Sequence, residues 1–170
     1  ESFFKELSKL NIMVIGETII DQYVFCEALG KSGKDPVMMF HQKKNEQYLG
    51  GAAAIANHLS GFCKKIDFLT FIGEKKEKLN FIKNKLAKNI NLKFIKKKNS
   101  PTIVKKKYVD LISNNKLHGI YEINDDELSQ IQEKQLNLLL KKYIKKSDLV
   151  ILSDYGHGFI SSKSAKLICK

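Results

Sequence analysis

The spacing of apolar positions changes along the chain, and each change marks an element. Ile12-Met13-Val14-Ile15 is a continuous apolar run ending at Gly16, the pattern of a strand buried on both faces of a parallel sheet. Gly16-Glu17-Thr18 then falls at its carboxyl end, where open α/β sheets place their ligands. A second strand is expected over 22–29, a loop over 30–36 and a third short strand over 37–41. No helix separates those two strands, so they should pair antiparallel and lie outside the main sheet. Residues 66–72 and 149–152 repeat the fully apolar pattern, and 91–95 supply a further strand. After a turn over 96–101, extended segments over 102–109 and 117–123 flank a hairpin-like Ser113-Asn114-Asn115.

Between these strands the period lengthens to that of helices. Over 75–88, Leu79, Ile82 and Leu86 share one face. Asn124-Asp125-Asp126-Glu127 reads as a helix start with an acidic first turn. That helix is expected to reach about Tyr143, with Leu128, Ile131, Leu136, Leu139 and Leu140 inward. A last helix begins at Ser161, and residues 1–11 form a short lead-in whose Phe3, Phe4 and Leu7 pack on the body. Strands alternating with helices give a three-layer α/β fold with a small second sheet.

One stretch stands apart. From Gln47 to Cys63 no residue carries a formal charge, in a chain that is 28% charged. A helix over 49–63 (LGGAAAIANHLSGFC) would gather Ala52, Ile55, Leu59 and Phe62 on one side. Gly50, Ala53, Asn57 and Gly61 fall opposite. This suits a helix squeezed between two layers with Asn57 bonded to a backbone, and equally a site wall with Asn57 pointing into it.

Composition narrows the function classes. The 170 residues form one domain with a real core. A net charge of +12 invites a nucleic-acid reading, yet all 30 basic residues are lysine. Without arginine there is no bidentate fork for phosphate or guanine, so specific nucleic-acid recognition is not expected. No apolar run reaches the roughly 18 residues of a membrane-spanning helix, and no membrane partner is expected. Three scattered cysteines, Cys26, Cys63 and Cys169, imply neither a disulfide framework nor a metal site and suit a cytoplasmic setting. There is no G-x-G-x-x-G, P-loop, G-x-S-x-G or H-E-x-x-H motif.

Four segments, in order, resemble the ribokinase/PfkB family of carbohydrate kinases. IMVIGETIID (12–21) resembles its opening strand and sugar-contact segment, and LGGAAAIAN (49–57) its di-glycine sugar signature. PTIVKKK (101–107) resembles a T-x-x-K-x-R strand, and LSDYGHG (152–158) a segment of the heptose-phosphate kinase branch. The resemblance implies a three-layer α/β/α ribokinase-like fold with a small β-sheet lid, its strands at about 22–48 and 102–123. Residues 1–170 would be the N-terminal portion of such a domain, truncated on its carboxyl side. It implies transfer of the γ-phosphoryl of ATP to a sugar hydroxyl, with Mg²⁺ on the nucleotide phosphates.

By the same resemblance, Asp21 would accept hydrogen bonds from sugar hydroxyls. Gly50 and Gly51 would let the sugar lie on bare backbone, and Asn57 would bond a further hydroxyl. Lys105 and Lys107 would meet a sugar phosphate, and Asp154 would stand near the acceptor at the sheet edge. The chain departs from the family pattern at Ala54 for Asn, His157 for Lys and Lys107 for Arg. The family's general base and anion hole fall beyond Lys170, so no catalytic residue and no metal ligand is expected here. The chain alone should require no cofactor and should not turn over; ATP and Mg²⁺ belong to the complete kinase. Expected partners are a sugar or sugar phosphate, a second copy through the lid sheet and a fused nucleotidyltransferase domain. The alternative is a non-catalytic kinase-like module that binds sugar or dimerises.

Overall fold

The computed structural model describes residues 2–169, with side chains from Phe4 onward. In chain order the elements are α1 (Ser2–Leu7), β1 (Asn11–Gly16), β2 (Thr18–Lys31), β3 (Met38–Gly50), α2 (Gly51–Ser60), β4 (Lys65–Gly73), α3 (Leu79–Lys85), β5 (Ile90–Lys97), β6 (Val104–Asp110), β7 (Lys116–Glu122), α4 (Gln130–Ile144), β8 (Leu149–Ser153) and α5 (Ser162–Ile168).

The continuous apolar runs form one parallel sheet in the order β5-β4-β1-β8. Successive side chains of β1 and β4 leave by opposite faces, so each face builds its own core. Ile12, Val14, Ile66 and Phe68 meet Ala52, Ala53 and Ala56 of α2. Met13, Ile15, Leu69 and Phe71 meet Leu136 and Leu140 of α4, with Leu167 and Ile168 of α5 alongside. This is the expected three-layer arrangement.

The second sheet has the order β3-β2-β6-β7, with antiparallel hairpins at each side and a parallel β2–β6 seam. Ile82 of α3 packs with Ile20, Ile72 and Val104 where the two sheets meet. β2 and β3 are far longer than the short strands expected, because their pairing continues from Lys31–Met38 down to Ile19–Gly50.

Several local expectations need correction. The buried side of α2 is its alanines, at 0% exposure, while Phe62 is 50% exposed and pairs with Phe4 at 6.1 Å between ring centroids. A helix laid close on a sheet buries small side chains and pushes bulk to the flanks. The side chain of Phe3 lies outside the described residues. α4 starts five residues later than the acidic cluster suggests: Ser129 is its N-cap, in a reciprocal capping box with Gln132. At 100° per residue Ile131 lies roughly opposite Leu136 and Leu140 and is 72% exposed, whereas Gln132 falls on their side and is buried. α3 is only Leu79–Lys85. β8 is an edge strand, so Leu149 and Leu152 are exposed on a segment whose apolar run suggested full burial.

Candidate functional site

Alternation along β2 and β6 divides the lid sheet into two faces. Ile20, Gln22, Val24 and Cys26 of β2 are buried, whereas Asp21, Tyr23 and Phe25 lie half-buried on the other face. Register then sets a row across all four strands: Tyr48, Asp21, Lys105 and Tyr121. The next row is Glu46, Tyr23, Lys107 and Gly119. One face therefore carries two carboxylates, two ammonium groups and three tyrosines.

These side chains interlock. Lys107 Nζ donates to Asp21 Oδ1 at 2.5 Å, a diagonal contact across the β2–β6 seam. The same ammonium lies 5.0 Å from the Tyr23 ring centroid, and Lys105 Nζ lies 5.7 Å from that of Tyr121. Tyr23 meets Tyr48 edge-on at 6.1 Å, and the Tyr48 hydroxyl donates to Glu46 at 2.7 Å. Partial burial would pull the Lys107 pKa down, but the hydrogen bond and charge of Asp21 outweigh it and hold the pKa above its usual value. A cavity of about 240 Å³ opens beside this row between Lys107, Lys116, His118 and Tyr121.

The paired glycines sit where the lid sheet hands the chain back to the core. A Cβ on Gly50 would stand 2.3 Å from Asp21 Oδ2, so glycine here lets the carboxylate lie against the backbone. Gly51 has φ of +57°, and a Cβ there would stand 2.5 Å from the Glu17 carbonyl oxygen. Gly50 is the N-cap of α2 without a side-chain cap, so the positive end of that helix opens beside Asp21.

Asp154 follows β8, at the same sheet edge as Gly16, which is in register with Ser153. Asp154 is exposed, and its Oδ1 accepts from the Gly156 amide at 2.9 Å. The loop is fixed by Glu17, a residue placed by the sequence at the strand's carboxyl end but given no role there, and 0% exposed. Its carboxylate accepts from the amides of Tyr155 at 2.9 Å and His157 at 3.2 Å. Burial pushes the Glu17 pKa up; the two amides pull against it and the charge of Asp154 adds to it.

Asn57 does not belong with these residues, which corrects its place among the expected sugar contacts. Its Nδ2 donates to the Lys85 carbonyl at 2.8 Å, and its Oδ1 accepts from the Ala87 amide at 3.0 Å. Both ends of the amide are committed to the connection between α3 and β5, so the packing alternative holds. Asp21, Gly50, Lys105 and Lys107 do come together, and Gly51 and Asp154 join them through Glu17. Tyr23, Tyr48 and Tyr121 were missed; their signal is alternation with Asp21 and Lys105 once the register is known. Among the described residues, no group of His, Cys, Asp and Glu is placed to hold a metal ion.

A carboxylate, ammonium groups and tyrosine rings beside a bare helix start suit a polyhydroxylated, anionic ligand. The architecture around them is ribokinase-like. Ribokinase of Arabidopsis thaliana, solved with ribose and ATP, superposes with a TM-score of 0.59 at 18% identity, covering 85% of this chain and 45% of that one. Phosphofructokinase-2 of Escherichia coli, solved with fructose-6-phosphate, gives 0.60 at 12% identity, covering 95% and 50%. The chain belongs to the pfkB family of carbohydrate kinases, which it matches over residues 9–169. Among curated relatives, the bifunctional protein HldE of Aliarcobacter butzleri is 31% identical over 157 residues, covering 91% of this chain and 32% of that protein. The chain thus spans about a third of the length of the curated relatives it matches.

Proposed function

We propose that the lid face around Asp21 is the sugar side of a PfkB-type kinase site, and that its ligand is a sugar phosphate of the heptose class. The single observation that carries this is the Asp21–Lys107 pair lying against Gly50. The carboxylate can take two sugar hydroxyls, and Lys107 and Lys105 can take a phosphate. Lysine in place of arginine at 107 offers a point charge instead of a fork, so phosphate would be held by charge more than by geometry. The bifunctional HldE relatives support the heptose class and a fused nucleotidyltransferase in the complete protein.

In that complete kinase, ATP with Mg²⁺ would supply the phosphoryl group and its charge neutralisation. The residues here would orient the sugar: Asp21 from the lid, Gly50 and Gly51 from the helix start, and Asp154 from the sheet edge. Asp21 is tied to Lys107 and Asp154 to the Gly156 amide, so we expect this chain by itself to give no sugar-dependent ATP turnover. We place the protein in the cytoplasm. Its three cysteines are free, and no helix among the described residues is long and apolar enough to cross a membrane.

The lid's outer strand favours a second copy as partner. Every residue of β7 is exposed, including Leu117, Ile120 and Tyr121. An unpaired apolar edge of this kind is a pairing surface.

Titration calorimetry with D-glycero-D-manno-heptose 7-phosphate, the unphosphorylated heptose and inorganic phosphate tests the reading. Tightest binding by the heptose phosphate, clearly weakened in Asp21→Ala, is expected. Equal binding of all three, or binding untouched by Asp21→Ala, would overturn it.

A further inference from the structure

The chain crosses between the parallel sheet and the lid sheet four times: at Glu17, at Gly50 and Gly51, over 98–103 and over 123–129. Residues at or beside three of those crossings grip one loop, 154–158, and they grip mostly its backbone. Glu17 holds the amides of Tyr155 and His157. Lys97, the last residue of β5, donates from Nζ to the His157 carbonyl at 2.8 Å and to the Asn124 carbonyl at 2.6 Å. Asp125 Oδ1 meets His157 Nδ1 at 2.7 Å, and the Leu128 amide donates to the Gly158 carbonyl at 3.2 Å. Gly158 has φ of +71°, and a Cβ there would stand 2.1 Å from the Asp126 carbonyl oxygen. The fourth crossing joins through the Ala52 amide, which donates to the Glu17 carbonyl at 2.9 Å.

Lys97 is a costly residue to put at this junction. It is 2% exposed, and its ammonium lies 4.9 Å from the Phe71 ring centroid. Burial lowers its pKa, against the opposing fields of Asp126, Asp125 and Glu17. An unbranched apolar side chain would fill the same space without desolvating a charge. What the ammonium adds is two directed bonds, one to the loop that carries Asp154 and one to the segment returning from the lid.

We propose that Lys97 is a positioning residue: with Glu17 it ties the seat of the lid sheet to the Asp154 loop, so that the two move as one body. A ligand held by the lid is then felt at the loop. That second statement rests on the sugar-site reading above; the tie itself does not.

Amide hydrogen exchange on the protein and on Lys97→Met tests the tie. Exchange should accelerate about tenfold or more at Tyr155, His157 and Leu128 together, with β1 amides as slow as before. Lys97 touches none of those three amides, so their release reports transmission and not a lost contact. Acceleration confined to 124–126, or spread evenly over the chain with β1 included, overturns the proposal. If Lys97→Met does not fold, Glu17→Gln reads the tie from its other end. Leu128 should then exchange faster although Glu17 does not touch it, and an unchanged Leu128 overturns the proposal. With heptose 7-phosphate as probe, both β6 and the Tyr155–His157 amides should slow in the unaltered protein, and β6 alone in Lys97→Met. Slowing of β6 alone in the unaltered protein overturns the coupling. No slowing anywhere overturns the sugar-site reading, and the probe-free arms still decide the tie.

Discussion

The two four-stranded sheets are built from the same kind of strand and put to opposite uses. In the parallel sheet, five of the six residues of β1 and eight of the nine of β4 are buried, because α2 covers one face and α4 and α5 the other. In the lid sheet β7 is exposed throughout, and β2 buries only alternate positions beyond Ile20. The first sheet spends its side chains on the core. The second presents them: Asp21, Glu46, Lys105, Lys107 and the three tyrosines all lie on its half-exposed face. Stability and recognition are therefore separable here, and substitutions should sort by sheet.

The largest test of that separation is a matched truncation. Phe68→Ala, at a fully buried position in β4, should destabilise by about 3–5 kcal/mol in denaturant unfolding. Tyr121→Ala, at 52% exposure in β7, should stay within about 0.5 kcal/mol. Equal losses would mean that the lid is as much core as the sheet beneath it. Next comes Asp21→Ala, which removes a charge-assisted bond and both acceptor oxygens from the lid face. Sugar-phosphate affinity should fall by about 1.5–3 kcal/mol in calorimetry, with little change in unfolding. A large stability loss with affinity kept would make Asp21–Lys107 a structural pair.

The same division explains what could be read from the sequence. β1 and β4 were legible because burial on both faces leaves an uninterrupted apolar run. The lid was legible only as short pieces, since one buried face and turns of register blur its ends. Lys97 was hidden in Lys96-Lys97-Lys98, where strand alternation exposes the outer two and buries the middle one. Glu17 was hidden because its partners lie about 140 residues away. The acidic cluster at 124–127 looked like a helix start because the same residue types that cap helices also close turns. Here Asn124 Oδ1 accepts from the Asp126 amide and Asp125 meets His157, while Ser129 and Gln132 do the capping. Gly50 and Asp21 could each be picked out, but not that one needs the other's space.

Asn57 sharpens the comparison from the core side. It lies on the helix that opens the site, yet its amide closes the α3–β5 connection. Asn57→Ala should cost about 1–2 kcal/mol of stability, since it leaves the Ala87 amide and the Lys85 carbonyl unpaired. Sugar-phosphate affinity should not change. A drop in affinity at unchanged stability would return Asn57 to the site.

The smallest expected effect lies at the junction of the two sheets. Burial raises the Glu17 pKa above its ordinary value of about 4.5, with the amides of Tyr155 and His157 limiting the rise. Between the ordinary and the raised value, the folded state binds more proton than the unfolded state. The contribution of Glu17 to stability therefore falls as pH rises through that window, and it is flat on either side. Carboxylates with lowered pKa values, such as Glu77 and Asp110, push the total the other way over more acidic pH. The useful quantity is thus the difference between the protein and Glu17→Gln, measured by urea unfolding at a series of pH values. That difference should shift against the unaltered protein as pH climbs just above the ordinary carboxylate range, then level off. A difference independent of pH would mean that Glu17 is held at its ordinary value, and that the junction is open enough to water to leave it there.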